Sequence, residues 1–148
     1  MRSKPKLTEI IMTDYITFFS VFTIIIGGGI GLYLVIGEVK DYWGYVFAGL
    51  AFLSLIRAIV RIIFIHKMFS IGTEIDAEVI KVFFYRSRAS IKFDYTFESV
   101  KFSRSNFLLR NSKSNKLPVG TKIKILVDPS KPTNVLILDV YKTITSNL

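Results

Sequence analysis

Three carboxylates on one predicted strand are the only local constellation in this 148-residue chain whose residue types and spacing suit chemistry. Alternate positions of a β-strand share a face, so Glu74, Asp76 and Glu78 are expected to point the same way. Such a group could bind a metal ion or act as a general acid and base. No histidine, serine or lysine motif accompanies it, and we favour a solvated strand face opposite lysines. We therefore expect no catalytic residue and no metal site.

The cysteine and histidine content excludes several other kinds of site. The chain has no cysteine and a single histidine, His66. It therefore cannot form a disulfide-stapled fold, a thiolate metal site or, within one chain, a zinc cluster of histidine and cysteine ligands. Four serines, at positions 87, 90, 103 and 105, are expected to lie in polar turns without a neighbouring base. We expect a protein that is not an enzyme and that needs no cofactor.

The chain is strongly basic, with a net charge of +9, and most of that charge lies in its second half. A protein that binds nucleic acid through a small β barrel exposes aromatic rings among its basic side chains. Here Phe93, Tyr95 and Phe97 alternate with polar residues, as core positions do. The anionic membrane surface is therefore the favoured partner, and no nucleic acid is expected. The predicted basic surface consists of Arg86, Arg88, Lys113, Lys116, Lys122 and Lys124.

Two long apolar blocks occupy the first half of the chain. Tyr15–Ile36 contains no charged residue, and a helix of that length spans about 33 Å against about 30 Å of bilayer hydrocarbon. The second block, residues 42–65, follows after the five residues 37–41. A signal peptide would have a shorter apolar region, of about 7–15 residues. The sequence predicts an antiparallel transmembrane hairpin over residues 15–67, with Thr13 and Asp14 as helix caps.

Two arginines interrupt the second apolar block. Arg57 and Arg61 lie four residues apart, so they share one helical face. Their side chains could extend to the headgroups, bind a lipid phosphate or pair with an acidic residue of a partner. The sequence leaves these alternatives open and predicts a membrane or partner contact at both positions.

Small residues in both blocks predict close packing between helix backbones. Gly27 and Gly31 form a GxxxG pair, a pattern that lets helices approach closely. Gly44 and Ala48 offer small partners on the second helix of the same chain. The pair is expected to pack either within the chain or against a second copy.

The distribution of lysine and arginine predicts the orientation in the membrane. Basic residues lie in the N-terminal tail and after the second helix, whereas the short loop contains only Lys40. The positive-inside rule then places both termini in the cytoplasm of a two-pass membrane protein, with the short loop outside. The expected domains are a basic cytoplasmic tail (1–14), the hairpin, a cytoplasmic β domain (72–140) and a C-terminal tail (141–148).

Alternating patterns after Gly72 predict a small antiparallel barrel or sandwich of about five strands. The alternation that includes Ile75 and Val79 slips at Lys81, which indicates a bulge or a strand buried on both faces. A second break is expected at residues 103–106, and the last strand at residues 135–140. The alternating core predicts a β domain that folds on its own.

Three segments carry a resemblance to a known family. They are the acidic alternating strand of residues 72–79, the aromatic run of residues 93–97, and the segment from Val119-Gly120 to Asp128-Pro129 and Pro132. Over residues 72–138 the chain resembles the bacterial domain-of-unknown-function family 3592. The resemblance implies a β domain paired with transmembrane helices. The family has no agreed activity, and its usual tyrosine before Asp-Pro is Val127 here.

The favoured function is a non-enzymatic inner-membrane accessory protein. Its β domain is expected to bind a protein partner, a second copy of the chain or the anionic membrane surface. One alternative is an immunity protein that protects against a membrane-acting toxin. The other is a membrane-tethered nucleic-acid sensor.

Overall fold

Three helices precede a five-stranded sheet in the computed structural model, which describes residues 4–37, 42–111 and 114–141. The helices are α1 (Leu7–Thr13), α2 (Tyr15–Ile36) and α3 (Trp43–Ile71). A short 3-10 helix, Ser114–Lys116, lies between the third and fourth strands, and the side chain of Lys116 is outside the described part.

The helices α2 and α3 pack against each other as an antiparallel hairpin, and each is long and apolar enough to cross a membrane. With 29 residues, α3 is about 44 Å long, which exceeds the roughly 30 Å of bilayer hydrocarbon. It continues past residue 67, where the sequence places the end of the hairpin. The last turns of α3 therefore extend beyond the length that a membrane would cover.

The five strands are antiparallel: β1 (Thr73–Tyr85), β2 (Arg88–Phe97), β3 (Val100–Leu109), β4 (Lys122–Asp128) and β5 (Lys131–Ile137). Their order in the sheet is β3-β2-β1-β4-β5. The two edges curl towards each other, and the Tyr95 hydroxyl donates a hydrogen bond of 2.6 Å to the Pro132 carbonyl. The sheet is therefore a nearly closed barrel. This confirms the predicted fold class, a pair of long apolar helices followed by a small antiparallel barrel.

The phase slip in β1 is a bulge. The register between β1 and β2 shifts between Val79 and Lys81, so Ile80 has no partner opposite it. The shift lets Val79 stay buried while Lys81 remains exposed. The slip predicted from the sequence at Lys81 is confirmed as a bulge.

Two strand predictions were wrong. No break occurs at residues 103–106, because β3 pairs with β2 without a register shift from Val100 to Leu109. Arg104 and Asn106 lie on the same strand face as Leu108. Because both are polar, they interrupt the alternation of apolar residues and wrongly suggested a break in the strand. The last strand begins at Lys131 and ends at Ile137. Its Pro132 is tolerated because β5 is an edge strand, where a missing backbone donor leaves no ladder hydrogen bond unmade.

The core of the barrel includes side chains from outside the β domain. Ile10 of α1 and Ile65, Met68 and Phe69 of α3 are buried in the same cluster as the inward side chains of the strands. Part of the predicted cytoplasmic tail, residues 1–14, therefore belongs to the core. The helices and the barrel share one hydrophobic interior.

Candidate functional site

Asp14 lies where α1, α2 and the barrel meet. It ends α1, caps the N-terminus of α2 and forms an isolated antiparallel bridge with Leu108 of β3. Its carboxylate is fully buried and accepts hydrogen bonds of 2.9 Å from both the backbone N–H and the hydroxyl of Thr17. The helix cap predicted at this position is confirmed, and its carboxylate is also the centre of a larger polar cluster.

Arg61 donates three hydrogen bonds to the same carboxylate, two of them from Nε, which is shared between the two oxygens. Its Nη2 lies 2.7 Å and its Nε 3.1 Å from Oδ1 of Asp14. About a fifth of the Arg61 side chain is exposed, whereas Asp14 is closed to solvent. Arg61, for which the sequence predicts a membrane or partner contact, thus forms an ion pair within the chain. The sequence reading missed the pair because 47 residues separate its two members.

Tyr141 completes this arrangement from the C-terminal side. Its hydroxyl donates to Oδ1 of Asp14 at 3.3 Å, and its ring packs edge-on against Phe69. Burial, together with the nearby Asp14 carboxylate, raises the pKa of Tyr141 well above its ordinary value, so the hydroxyl keeps its proton. The sequence places Tyr141 at the start of the C-terminal tail, but it is buried, and residues 142–148 lie outside the described part.

The Asp14 cluster, as we call Asp14, Thr17, Arg61 and Tyr141, joins the start of α2, the middle of α3 and the chain beyond β5. Four donor groups converge on one carboxylate, so its acceptor sites are largely filled. Such a carboxylate is poorly suited to bind a substrate or a metal ion. Across the described ranges, no group of three or more histidine, cysteine or acidic residues could hold a metal ion. The cluster fastens the helical hairpin to the barrel.

Arg57 is placed differently from Arg61. It is exposed on α3, one turn farther from the barrel, and its side chain forms no ion pair with any described residue. Although the two arginines lie one turn apart, only Arg61 reaches Asp14. Arg57 faces the surroundings of the hairpin.

The predicted small residues lie at the contact between α2 and α3. A methyl group on Gly31 would be 3.0 Å from the backbone nitrogen of Ala48 and 3.1 Å from the carbonyl oxygen of Gly44. A methyl group on Gly27 would be 3.6 Å from the carbonyl oxygen of Phe47. The structure thus brings the GxxxG pair against the second helix of its own chain, which was one of the two alternatives.

The hairpin turn between β1 and β2 lies beside the first turns of α2. Arg86 and Ser87 join the paired residues Tyr85 and Arg88, and Arg86 has a left-handed backbone with φ of 50°. The Arg88 guanidinium lies 4.6 Å from the ring centre of Phe107 and 5.9 Å from that of Tyr15. The turn therefore places two of the predicted basic residues next to the apolar helix.

The rest of the predicted basic surface is not gathered at this turn. Lys124 of β4 forms an ion pair of 2.8 Å with Glu74, and this contact raises the pKa of Lys124. Lys122 lies opposite Glu78 in the register of β1 and β4. The predicted arrangement of the three carboxylates opposite lysines is thus confirmed. Lys113 lies outside the described residues, as does the side chain of Lys116.

The aromatic residues of β2 do not form an exposed platform. Phe93 and Tyr95 are buried, and Phe97 is partly buried against the same core. Their predicted place in the core is confirmed. Stacking of nucleobases requires accessible ring faces, which these two buried residues do not offer.

The fold and the Asp14 cluster define a class of protein: a hairpin of two long apolar helices fastened to a small β barrel. No family model, no curated protein and no solved structure matches the chain. The resemblance of residues 72–138 to the domain-of-unknown-function family 3592 therefore stays a prediction.

Proposed function

We propose that the protein is a non-enzymatic accessory protein of the bacterial inner membrane, whose cytoplasmic β domain binds the anionic surface of that membrane. The observation that carries this proposal is the fixed position of the β1–β2 turn. The Asp14 cluster attaches the barrel to the start of α2 and the middle of α3, and the turn exposes Tyr85 and Arg86 beside α2. Aromatic and arginine side chains are favoured at the level of lipid headgroups.

The length of the hairpin supports a membrane span. From Tyr15 to Tyr33, α2 extends by about 27 Å, close to the roughly 30 Å of bilayer hydrocarbon. Tyr33, Trp43 and Tyr45 are exposed at the loop end of the hairpin, where an aromatic belt is expected. The polar Asp14 cluster and the β1–β2 turn lie at the other end. This arrangement suits a bilayer whose two headgroup regions lie at the exposed aromatic residues of the loop end and at the β1–β2 turn of the other end.

The two termini are proposed to lie on the cytoplasmic side. Support comes from the basic residues at that end and from Asp14 and Met12, which contact Leu108 and Asn111 of the barrel end. A phosphatase fused to Leu148 is expected to be inactive in bacterial cells, because alkaline phosphatase requires the periplasm to form its disulfides. Strong phosphatase activity from this fusion would contradict the proposed orientation.

Hydrogen exchange tests whether the turn contacts the membrane. The full chain is reconstituted in nanodiscs that contain either phosphatidylcholine alone or a mixture with phosphatidylglycerol. We expect slower amide exchange at residues 83–88 in the anionic discs and unchanged exchange in the β2–β3 turn, Glu98 and Ser99, as the internal control. Equal exchange at residues 83–88 in both lipids would argue against docking on an anionic surface.

A protein partner is the second candidate, and the exposure of Arg57 favours it. An arginine within an apolar helix costs about 2.5–3.5 kcal/mol at the centre of a bilayer, and less near the headgroups. A carboxylate from another protein or another copy would offset part of that cost. Purification from native membranes of the wild type, Arg57→Gln and the matched surface variant Lys92→Gln tests this. A stoichiometric partner lost only in Arg57→Gln supports the second candidate, and its retention in all three contradicts a contact through Arg57.

A further inference from the structure

A groove lies between the start of α2 and the β1–β2 turn. Its volume is about 370 Å³, which falls within the range of about 300–1,000 Å³ typical of sites for small molecules. One wall is formed by Tyr15, Phe18, Phe19 and Phe22 of α2. The other wall is the turn itself, residues 85–88. We call this feature the aromatic groove.

The turn makes one end of the aromatic groove strongly basic. Arg86 and Arg88 line it, and among the described residues no carboxylate does. Nε of Arg88 is buried and has no hydrogen-bond acceptor in the described part of the chain. A buried donor without an acceptor carries a desolvation cost, and the partly exposed side chain to which it belongs lines the groove. Arginine also matches the geometry of phosphate oxygens with paired donors.

The two-residue hairpin turn fixes the backbone of Arg86 at this end of the groove. Its φ of 50° is a left-handed backbone that glycine and asparagine adopt more readily than arginine. The β2–β3 turn has the same kind of backbone at Glu98 and Ser99, so this conformation belongs to the hairpin turn and is not by itself a sign of a ligand. The neighbouring Arg110 donates its backbone N–H to the Ser87 carbonyl at 2.8 Å and holds its guanidinium over the Phe84 ring. The turn is thus surrounded by positive charge.

The α2 wall makes the remainder of the groove apolar. Phe19 and Phe22 are each about half exposed on the first turns of α2, and the rings of Phe18 and Phe22 lie 6.4 Å apart. These residues begin the apolar stretch that is long enough to cross a membrane. The groove therefore runs from guanidinium groups to hydrocarbon along the start of the helix.

We infer that the aromatic groove binds one anionic glycerophospholipid, with its phosphate between Arg86 and Arg88 and an acyl chain along Phe18, Phe19 and Phe22. This inference rests on the proposed membrane location and adds a defined site to it. The charge of the arginines complements the phosphate, and the phenylalanines complement the hydrocarbon chain. Basic pockets beside transmembrane helices recognise acidic lipid headgroups in this way.

A tryptophan reporter in the groove tests the inference with the full chain in vesicles. The single tryptophan is removed by Trp43→Phe, and Phe19→Trp places a fluorophore in the apolar wall. Quenching by brominated phosphatidylglycerol is compared with quenching by brominated phosphatidylcholine. We expect the anionic lipid to be preferred about tenfold at this position. Ile59→Trp, on an exposed part of α3 away from the groove, is the matched reporter and should show little preference.

Charge-matched variants distinguish a defined lipid site from a general electrostatic attraction between the barrel and anionic lipid. In the reporter chain, Arg86→Gln with Arg88→Gln should remove the preference. Lys92→Gln with Lys122→Gln removes the same charge elsewhere on the barrel and should retain it. An equal loss in both pairs would overturn the defined site while leaving general membrane docking intact. Displacement by millimolar inorganic phosphate would also overturn it, because the ligand would then be a free anion.

Arg86→Asn is the control for a loss of lipid preference that arises only from unfolding. Asparagine fits the left-handed backbone of the turn, so this variant should melt at the same temperature as the parent chain or higher. Its preference for the anionic lipid should nevertheless fall severalfold. Unchanged preference in this well-folded variant would refute a phosphate contact at Arg86. If exchange at residues 83–88 still slows on anionic discs, the proposed function survives that result.

Discussion

At the scale of single residues, the buried Asp14 carboxylate sets the geometry of the molecule. A carboxylate without solvent contact is stable only when donors surround it, and here Thr17, Arg61 and Tyr141 supply them. Replacing such a buried pair by apolar residues can be neutral, whereas removing one member leaves the other charge uncompensated. The Asp14 cluster is therefore sensitive to single substitutions.

Asp14→Asn is expected to lower the free energy of unfolding by about 2–3 kcal/mol. Asparagine caps a helix as well as aspartate does, so this change removes the charge and retains the cap. This expected loss lies at or below the lower end of the range for breaking a buried ion pair, because part of the Arg61 side chain contacts solvent. Chemical unfolding in detergent micelles measures the loss.

Two further variants check this interpretation of Asp14→Asn. The surface variant Asp76→Asn should change the free energy of unfolding by less than about 0.5 kcal/mol. Combining Asp14→Asn with Arg61→Gln should recover part of the loss, because neither charge is then left unpaired. Wild-type stability in Asp14→Asn would show that the pair does not hold the hairpin to the barrel.

Tyr141→Phe should flatten the dependence of stability on alkaline pH. The pKa of Tyr141 is raised above its ordinary value of about 10 in the folded chain, so the unfolded chain loses this proton first as the pH rises. The stability that Tyr141 contributes is complete below pH 10 and decreases above it by up to about 1.4 kcal/mol per pH unit. In Tyr141→Phe that decrease is absent. Parallel pH profiles for the two proteins above pH 10 would contradict the assignment.

At the scale of elements, backbone contact defines the seam between α2 and α3. Gly31 faces the backbone atoms of Ala48 and Gly44, which cannot rotate away as a side chain can. Gly29, on the same helix, has no described atom within 4 Å of the position that a methyl group would take, apart from its chain neighbours and the nearby backbone of its own helix. Gly31 is therefore the position at the helix contact, and Gly29 is its matched control on the open side of the same helix.

Gly31→Ile should separate the helices and lower the melting temperature of the hairpin in detergent, with a cost of about 1–3 kcal/mol. Gly29→Ile adds the same side chain and the same change in helix propensity on the open side, and it should melt close to the wild type. Limited proteolysis provides the second measurement, since helices that have separated are cleaved more readily than packed ones. Equal melting of the two variants would rule out the seam as a stabilising contact.

At the scale of the whole molecule, the shared core makes the helices and the barrel interdependent. A fragment of residues 70–148 lacks Ile10, Ile65, Met68 and Phe69, all of which are buried against the strands. Burial of each large apolar side chain contributes about 1.5–3 kcal/mol. Their sum approaches the total stability of an ordinary domain, about 5–15 kcal/mol. The sequence-based expectation of an independent β domain is therefore revised.

The fragment of residues 70–148 is expected to unfold without a cooperative transition when circular dichroism is followed on heating. A longer fragment of residues 62–148 restores three of the four missing side chains and should regain part of the cooperativity. Full-length protein in micelles is the reference. Cooperative melting of the shorter fragment near the temperature of the full chain would show that the barrel core does not need the helices.

Local pattern was sufficient for α2, for the inward face of β2 and for the bulge of β1, but not for the bounds of β5. The uncharged run of Tyr15–Ile36 predicted α2 with the bounds that the structure has, because an apolar stretch of that length has few stable forms other than a helix. The alternation in β2 and the slip at Lys81 predicted the inward face and the bulge, because both depend on the two-residue period of a strand. The helix cap at Asp14 followed from neighbouring residues alone.

The Asp14 cluster depended on tertiary structure, although one signal for it was present in the sequence. Counting outward from the loop at residues 37–41, the position opposite Asp14 in an antiparallel hairpin is near residue 64, about one helical turn from Arg61. No such signal was present for Tyr141, because its distance from Asp14 depends on how the chain runs from β5 back to the helices. The strand prediction was wrong around positions 104 and 106 because the polar residues there interrupt the apolar pattern. Their place on the strand face follows from the pairing of β3 with β2, which the local pattern does not show.

The sequence by itself determined α2, the inward faces of β1 and β2 and the small residues of the hairpin, because each follows from the period and composition of a short segment. Only the tertiary structure decided that Arg61 pairs with Asp14, that α1 and α3 complete the barrel core, and that two arginines lie beside the phenylalanines of α2. These contacts join residues dozens of positions apart. Their geometry arises from the packing of whole elements, which no local pattern encodes.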